Sequence, residues 1–264
     1  MPSDPFLPAS GNLSTAWAEV FLKLMSHGVN ELTPVVLTVS DLDARGLPNE
    51  STGIRERLDR ELEGHGLQPC HTVANTIFPE SLWIPTEADS AQGLYRRYES
   101  VWPRIKHHPQ NRRGVYFRRL TAYHPDGSAG DPVNQLQHII DTYRQGNHRR
   151  SALQAALFDP TRDHTNCRQQ GFPCLQQIAF VPVEGEGLYV TGFYPTQYLL
   201  ERAYGNYLGL CRLGRFMATQ LGLPFVRMVC VASVARRSDP GIAKGSLQQL
   251  AAELRLILPH EENT

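Results

Sequence analysis

The sequence predicts an α+β protein, built from a sheet and one buried helix. Two observations carry this. Residues 176–183 and 188–194 are apolar runs of strand length joined by the turn Glu184-Gly185-Glu186-Gly187, so they read as a hairpin. The segment 204–221 has helical spacing and is apolar on most faces, which places it inside the protein. Gly205, Gly209 and Gly214 interrupt that helix. A helical glycine costs about 1 kcal/mol relative to alanine, so three of them point to close approach of another backbone.

The remaining elements follow in chain order. Residues 1–13, rich in Pro, Ser and Gly, read as a loose leader. Ser14 can cap a helix with Trp17, Val20, Phe21, Leu24 and Met25 on one face, stopped at Gly28. Residues 33–40 read as a strand. Residues 53–63 read as a charged surface helix, ended by Gly64 and Gly66. The stretch to residue 130 is rich in Pro, Arg and His, and its organisation is not legible. Asp131 and Pro132 suit the start of a helix carrying Val133, Leu136, Ile139, Ile140 and Tyr143, with Gly146 as its stop. Residues 151–158 and 225–234 read as strands. Ser246 with Gln249 forms a capping box for a last helix, with Leu247, Leu250, Ala251, Leu254 and Leu258 inward and Pro259 at its end.

Composition narrows the function classes. The 264 residues carry 26 basic and 26 acidic side chains, a formal charge of zero. That argues against bulk electrostatic binding to nucleic acid or to an anionic membrane. No apolar run approaches membrane length, and MPSDPFLPAS has no signal-peptide character. The five scattered cysteines, Cys70, Cys167, Cys174, Cys211 and Cys230, fit reduced thiols in a cytoplasm. No zinc-type cysteine or histidine spacing and no glycine-rich phosphate loop occurs, so no metal is expected. Cys70-His71 and His107-His108 are adjacent pairs, which make poor chelates on a strand.

Two local features stand out. Cys174 follows Phe172-Pro173 and opens an apolar strand; either a buried inert thiol or a nucleophile suits that position. Among the recurrent arginine pairs, Arg149-Arg150 differ by lying between a helix stop and a strand, where fixed guanidinium groups suit phosphate recognition.

From about residue 114 to about residue 234 the chain resembles the thymidylate synthase family. The resemblance rests on order: GVY, a loop ending in HPDG, the helix NQLQHIIDTYRQG, then HRRSALQAALFDP, a Pro-Cys, two hairpin strands, a helix containing Asn206, and a strand. It implies a single domain over 1–264 with a twisted mixed sheet, and a homodimer formed back to back. It makes Cys174 the nucleophile and places Tyr116 near the proton-abstraction step. Arg149 and Arg150 correspond to arginines lent across the dimer to the substrate phosphate. Asn206 corresponds to the residue that reads the pyrimidine edge, and Thr196 to a substrate-binding serine. Glu80 is the one candidate for the general base.

The departures from the family are specific. Pro195 stands in place of an arginine that touches phosphate and thiol, Tyr198 in place of an aspartate that holds folate, and Leu175 in place of a histidine. The sugar-binding His and Tyr are missing near 233–235, and the tail LPHEENT differs. The resemblance implies a tetrahydrofolate one-carbon donor, but Tyr198 and the tail argue for weak folate binding or none.

The implied chemistry explains the thiol. A thiolate added to C6 of a pyrimidine makes C5 nucleophilic toward a one-carbon unit; a base then removes the C5 proton and the thiol leaves. Neighbouring cations are expected to lower the Cys174 pKa. The sequence therefore suggests an enzyme that methylates or hydroxymethylates a uracil-like ring of a nucleotide or nucleoside. The alternative is a non-catalytic dimer that keeps the fold to bind a nucleotide or a protein.

Overall fold

The structure is a computed structural model that describes residues 9–26, 29–108, 111, 115–124, 131–146, 148–164, 173–238 and 242–258. Helix α1 (Leu13–Ser26) leads into strands β1 (Glu31–Leu32) and β2 (Val35–Val39), then helix α2 (Thr52–Gly64). The stretch that sequence patterning left unread holds helices α3 (Cys70–Ile77) and α4 (Ser90–Ile105), with a short 3₁₀ turn at Glu80–Leu82 between them. Helices α5 (Tyr116–Thr121) and α6 (Gln135–Gln145), strand β3 (Gln154–Ala156) and the single turn α7 (Pro160–Asp163) follow. Strands β4 (Gln177–Val183) and β5 (Gly187–Tyr198), a π-helical turn (Leu199–Ala203), helix α8 (Tyr204–Leu221), strand β6 (Phe225–Arg236) and helix α9 (Lys244–Ile257) complete the chain. The class is α+β. Among the described residues no helix is long and apolar enough to cross a membrane.

One sheet runs β1-β6-β5-β4-β3, and β2 also pairs with β6. The β4–β5 hairpin is antiparallel, whereas β5 and β6 run parallel with α8 as the crossover between them. This explains why 204–221 is apolar nearly all round. One side of α8 covers the sheet at β5 and β6, and the other receives α3 and α1. Trp17, Tyr207, Phe216 and Leu210 are buried in the resulting core.

On the sheet face away from α8, register aligns Val36, Val231 and Phe193 in one row and Thr38, Val229, Thr191 and Ala179 in the next. These side chains are half-buried. The inward alternation slips by one place in both central strands. Tyr194 and Ala232 face inward, and so do Gln197 and Ala235 three residues on. The two strands therefore change face together at Pro195-Thr196 and Ser233-Val234.

Several boundaries differ from the sequence reading. Asn12, not Ser14, caps α1: its Oδ1 accepts from the Ser14 and Thr15 amides at 2.9 and 3.1 Å. Ser14 is buried, and its hydroxyl lies 2.8 Å from that of Tyr204. The end of the expected loose leader is ordered, because Ser10 bridges to Val39 and exchanges backbone hydrogen bonds with Thr38 and Ser40. Asn134 rather than Asp131 caps α6, accepting from Gln137 N at 3.0 Å, and Val133 is instead bridged to Tyr123. Ser246 lies inside α9 and donates to Glu61, so it closes a tertiary contact, not a capping box. The strand expected over 151–158 shrinks to three residues, and β5 and β6 each run further than their apolar patterns showed. The expected stops at Gly28 and Pro259, residues 1–8, the end of the HPDG loop and Cys167 lie outside the described residues.

Candidate functional site

Cys174 sits where the chain enters β4. Two residues on, the Gln176 amide donates to Phe193 O at 3.0 Å, and Gln176 O accepts from Leu157 N at 2.8 Å. The entry is thus pinned to strand β5 on one side and to the segment after β3 on the other. Leu175 is fully buried, and Gly192 opposite it leaves room for Leu175 and Leu210; a β-carbon there would meet Leu210 at 2.7 Å and Leu175 at 3.5 Å. Cys174 is free and exposed. The regular pairing with β5 begins at Gln177, opposite Phe193, so Cys174 lies three residues before it.

The groups around the thiol come from three further elements. Tyr116 opens α5 and acts on the Cys174 thiol in the sense that favours its ionised form, and the backbone of Leu175 and Cys174 acts on the phenol in the same sense. Burial pushes the Tyr116 phenol up, so it stays protonated at neutral pH and keeps its role as donor. Tyr194, from β5, is fully buried; burial again pushes its pKa up, and its hydroxyl has no hydrogen-bond partner among the described residues. Arg202, on the π-helical turn, supplies the cation that acts on both Cys174 and Tyr116.

One expectation is corrected. Cys174 does not have a lowered pKa: burial of its inner side pushes the thiol up, and the Arg202 charge and the Tyr116 hydroxyl offset this only in part. The residue is exposed, and its thiol is mostly protonated at neutral pH.

The other named residues divide. Asn206 is 3 % exposed and makes no hydrogen bond among the described residues. It lies one turn before Leu210, on the α8 face that packs toward Gly192 and Leu175. Thr196 is half-buried on β5. Arg149 and Arg150 are exposed, and Arg150 Nη2 donates to Pro182 O at 2.7 Å. Pro182 is five residues beyond Gln177 on β4, about 17 Å at strand rise. Both arginines therefore stand at the end of β4 opposite to Cys174 of the same chain. Glu80 is engaged by Arg212 Nε at 2.9 Å and Arg215 Nη1 at 3.4 Å.

Arg202 and Tyr194 escaped the sequence reading. The available signal was a lone arginine among Leu199, Leu200 and Ala203 just past a strand end, which is too short a pattern to separate from ordinary surface charge. Cys70, Cys211 and Cys230 are buried, and burial pushes each of these thiols up, as inert core cysteines require. Among the described residues no three His, Cys, Asp or Glu side chains come together to hold a metal.

Among the described residues, fold and site define an α+β protein with an exposed thiol, Cys174, on which a phenol and a guanidinium act. No protein-family model matches the chain, and no curated protein does.

Proposed function

We propose that this chain is a thymidylate synthase-like enzyme that adds the Cys174 thiolate to C6 of a uracil-like ring and so activates C5 for methylation or hydroxymethylation. The observation that carries the reading is an exposed, free cysteine at the entry to β4, Cys174, whose thiol is acted on by Tyr116, a residue far away in the chain. Asn206 would read the ring edge: its amide both donates and accepts, which matches the N3–H and O4 of uracil. Arg149 and Arg150 would serve the site of a second copy, consistent with their position away from their own Cys174. The half-buried sheet face around Val231 and Phe193 would form the dimer contact. Folate in the family's manner is disfavoured by Tyr198, because a phenol cannot give the charge-assisted bond of an aspartate. Reduced thiols fit a cytoplasmic setting.

The test is tritium release from 5-tritiated uridine and deoxyuridine, free and as monophosphates. Thiolate addition alone labilises the C5 proton, so no one-carbon donor is needed. Release that disappears in Cys174→Ser supports the enzyme. Binding of a nucleotide without release supports the non-catalytic alternative.

A further inference from the structure

A polar cluster lies on the side of α8 that receives α3. Gly205 and Gly209 bring the two helices together there, with Cys70 O and Ala74 O of α3 at 2.7 and 2.9 Å from their β-carbon positions. Arg212 of α8 is 7 % exposed and reaches three groups on the facing elements. Its Nε is ion-paired with Glu80 Oε2 at 2.9 Å, its Nη1 donates to Asn75 Oδ1 at 3.4 Å, and its Nη2 lies 3.0 Å from His71 Nδ1. A guanidinium has N–H donors and no acceptor. His71 Nδ1 must therefore accept, which fixes the ring as the neutral tautomer with its proton on Nε2. His71 is itself exposed, so protons from solvent reach the ring.

We propose that His71 is an acid-sensitive latch between α3 and α8, closed while the ring is neutral and released when Nδ1 takes a proton. The charged groups that act on His71 come from three elements: Arg212 from α8, Arg55 and Asp59 from α2, and Glu80 from the 3₁₀ turn. Both acids are already engaged. Asp59 holds Arg55 and the Cys70 amide, and Glu80 holds Arg212 and Arg215. A proton on Nδ1 removes the acceptor and sets an imidazolium 3.0 Å from the Arg212 guanidinium. Partial burial and the Arg212 and Arg55 charges accordingly hold the His71 pKa below its ordinary value, with Glu80 and Asp59 opposing. The latch is therefore fully stabilising above the unfolded value near 6.5, and its contribution is lost as pH falls from there through the lower folded value. The proposal is independent of the chemistry at Cys174.

The test is hydrogen exchange of the α3 amides at pH 7.5 and 5.5, corrected for the chemical exchange rate at each pH. Wild-type protection is expected to fall about three- to tenfold over that interval, the lower figure reflecting solvent screening at an exposed ring. In His71→Asn the side-chain oxygen stands in for Nδ1 and does not titrate, so protection should stay level. His71→Leu offers no acceptor and should show the lower protection at both pH values. Wild-type protection that does not fall overturns the proposal. So does a fall of wild-type size in His71→Asn, which assigns the effect to other titrating groups. If His71→Asn does not fold, the ring nitrogen shifts of the wild type decide by NMR. A proton on Nδ1 at pH 7.5 overturns the proposal, whereas an Nε2–H tautomer lost in step with the protection of α3 supports it.

Discussion

Replacing Gly205 by alanine tests how α8 is seated in the core. A β-carbon at Gly205 would stand 2.5 Å from Val73 Cβ and 2.7 Å from Cys70 O, both in the first turn of α3. Neither neighbour yields easily. Val73 is β-branched and stiff at χ1. The Cys70 amide is tied to Asp59 Oδ1 at 2.7 Å, which holds the turn in place. The methyl must therefore push α3 away from α8. Overpacking of this kind costs about 1–3 kcal/mol, and two contacts with rigid atoms put it at the upper end. The gain in helix propensity returns about 1 kcal/mol. The net loss is about 2 kcal/mol, which lowers Tm by about 4–8 °C in a chain of this size. Gly245→Ala in α9 is the control, because nothing lies within 4 Å of its β-carbon position, and it is expected to be neutral or stabilising. Thermal unfolding followed by circular dichroism measures both. A Gly205→Ala protein at or above the wild-type Tm would refute the close approach of α3 and α8.

Four further outcomes are expected. Sedimentation at micromolar concentration should find a dimer with an interface larger than about 1,600 Å², and Val231→Glu or Phe193→Asp on the half-buried sheet face should give monomer. Arg119→Ala should cost about 3–5 kcal/mol in a urea titration, because it strands Asp163, 3 % exposed at its side chain and gripped by Arg119 at 2.5 and 2.7 Å. Glu61, where burial alone would raise the pKa, is held below the ordinary carboxylate range by Ser246, Arg57 and His65; its stabilisation is present above the unfolded value near 4.3 and is lost as pH falls through the lower folded value, so Glu61→Gln should flatten the fall in urea midpoint below about pH 4.5. Asn206→Asp should shift binding from uracil toward cytosine nucleotides by about 1–3 kcal/mol in calorimetry, and if neither protein discriminates, Asn206 is structural.

Sequence patterning succeeded where one physical effect dominated. The 204–221 helix was legible to the residue because burial on nearly all sides leaves an apolar run with sharp ends. Its glycines were read for the right reason at Gly205 and Gly209, which face backbone carbonyls of α3; Gly214 instead makes room for the Phe225 ring. Helix caps were misplaced because Ser14 and Ser246 look like caps locally, yet both hydroxyls are claimed from a distance, by Tyr204 and by Glu61. A pattern confined to four residues cannot register a partner nearly two hundred residues away. The 64–113 stretch was opaque for a related reason. Its helices bury mixed surfaces, with Tyr95 and Tyr98 inside α4 and Pro103 in its last turn, so no clean apolar period emerges.

The candidate site shows the same division. Cys174 and Tyr116 were named from the order of segments, and in the structure Tyr116 acts on the Cys174 thiol although α6 and β3 lie between them in the chain. Arg202 could not be named that way, because its outward position follows from the coordinated change of face at Pro195-Thr196 and Ser233-Val234 and the π-helical turn after it. A one-residue slip in β5 alone would flip every later side chain to the wrong face. Its partner strand β6 slips at the paired position, so the core stays closed at Gln197 and Ala235 while the strand end is redirected. Gln197 then fills the inward position, accepting from Tyr207 at 3.0 Å and reaching Cys230. The irregularity is thus stabilised from beneath by a buried polar chain, and the turn above it is free to present one guanidinium outward. Gln197→Leu would leave the buried Tyr207 hydroxyl without its acceptor, so it should cost about 1–3 kcal/mol in a urea titration, and an unchanged midpoint would show that this buried chain does not hold the strand end.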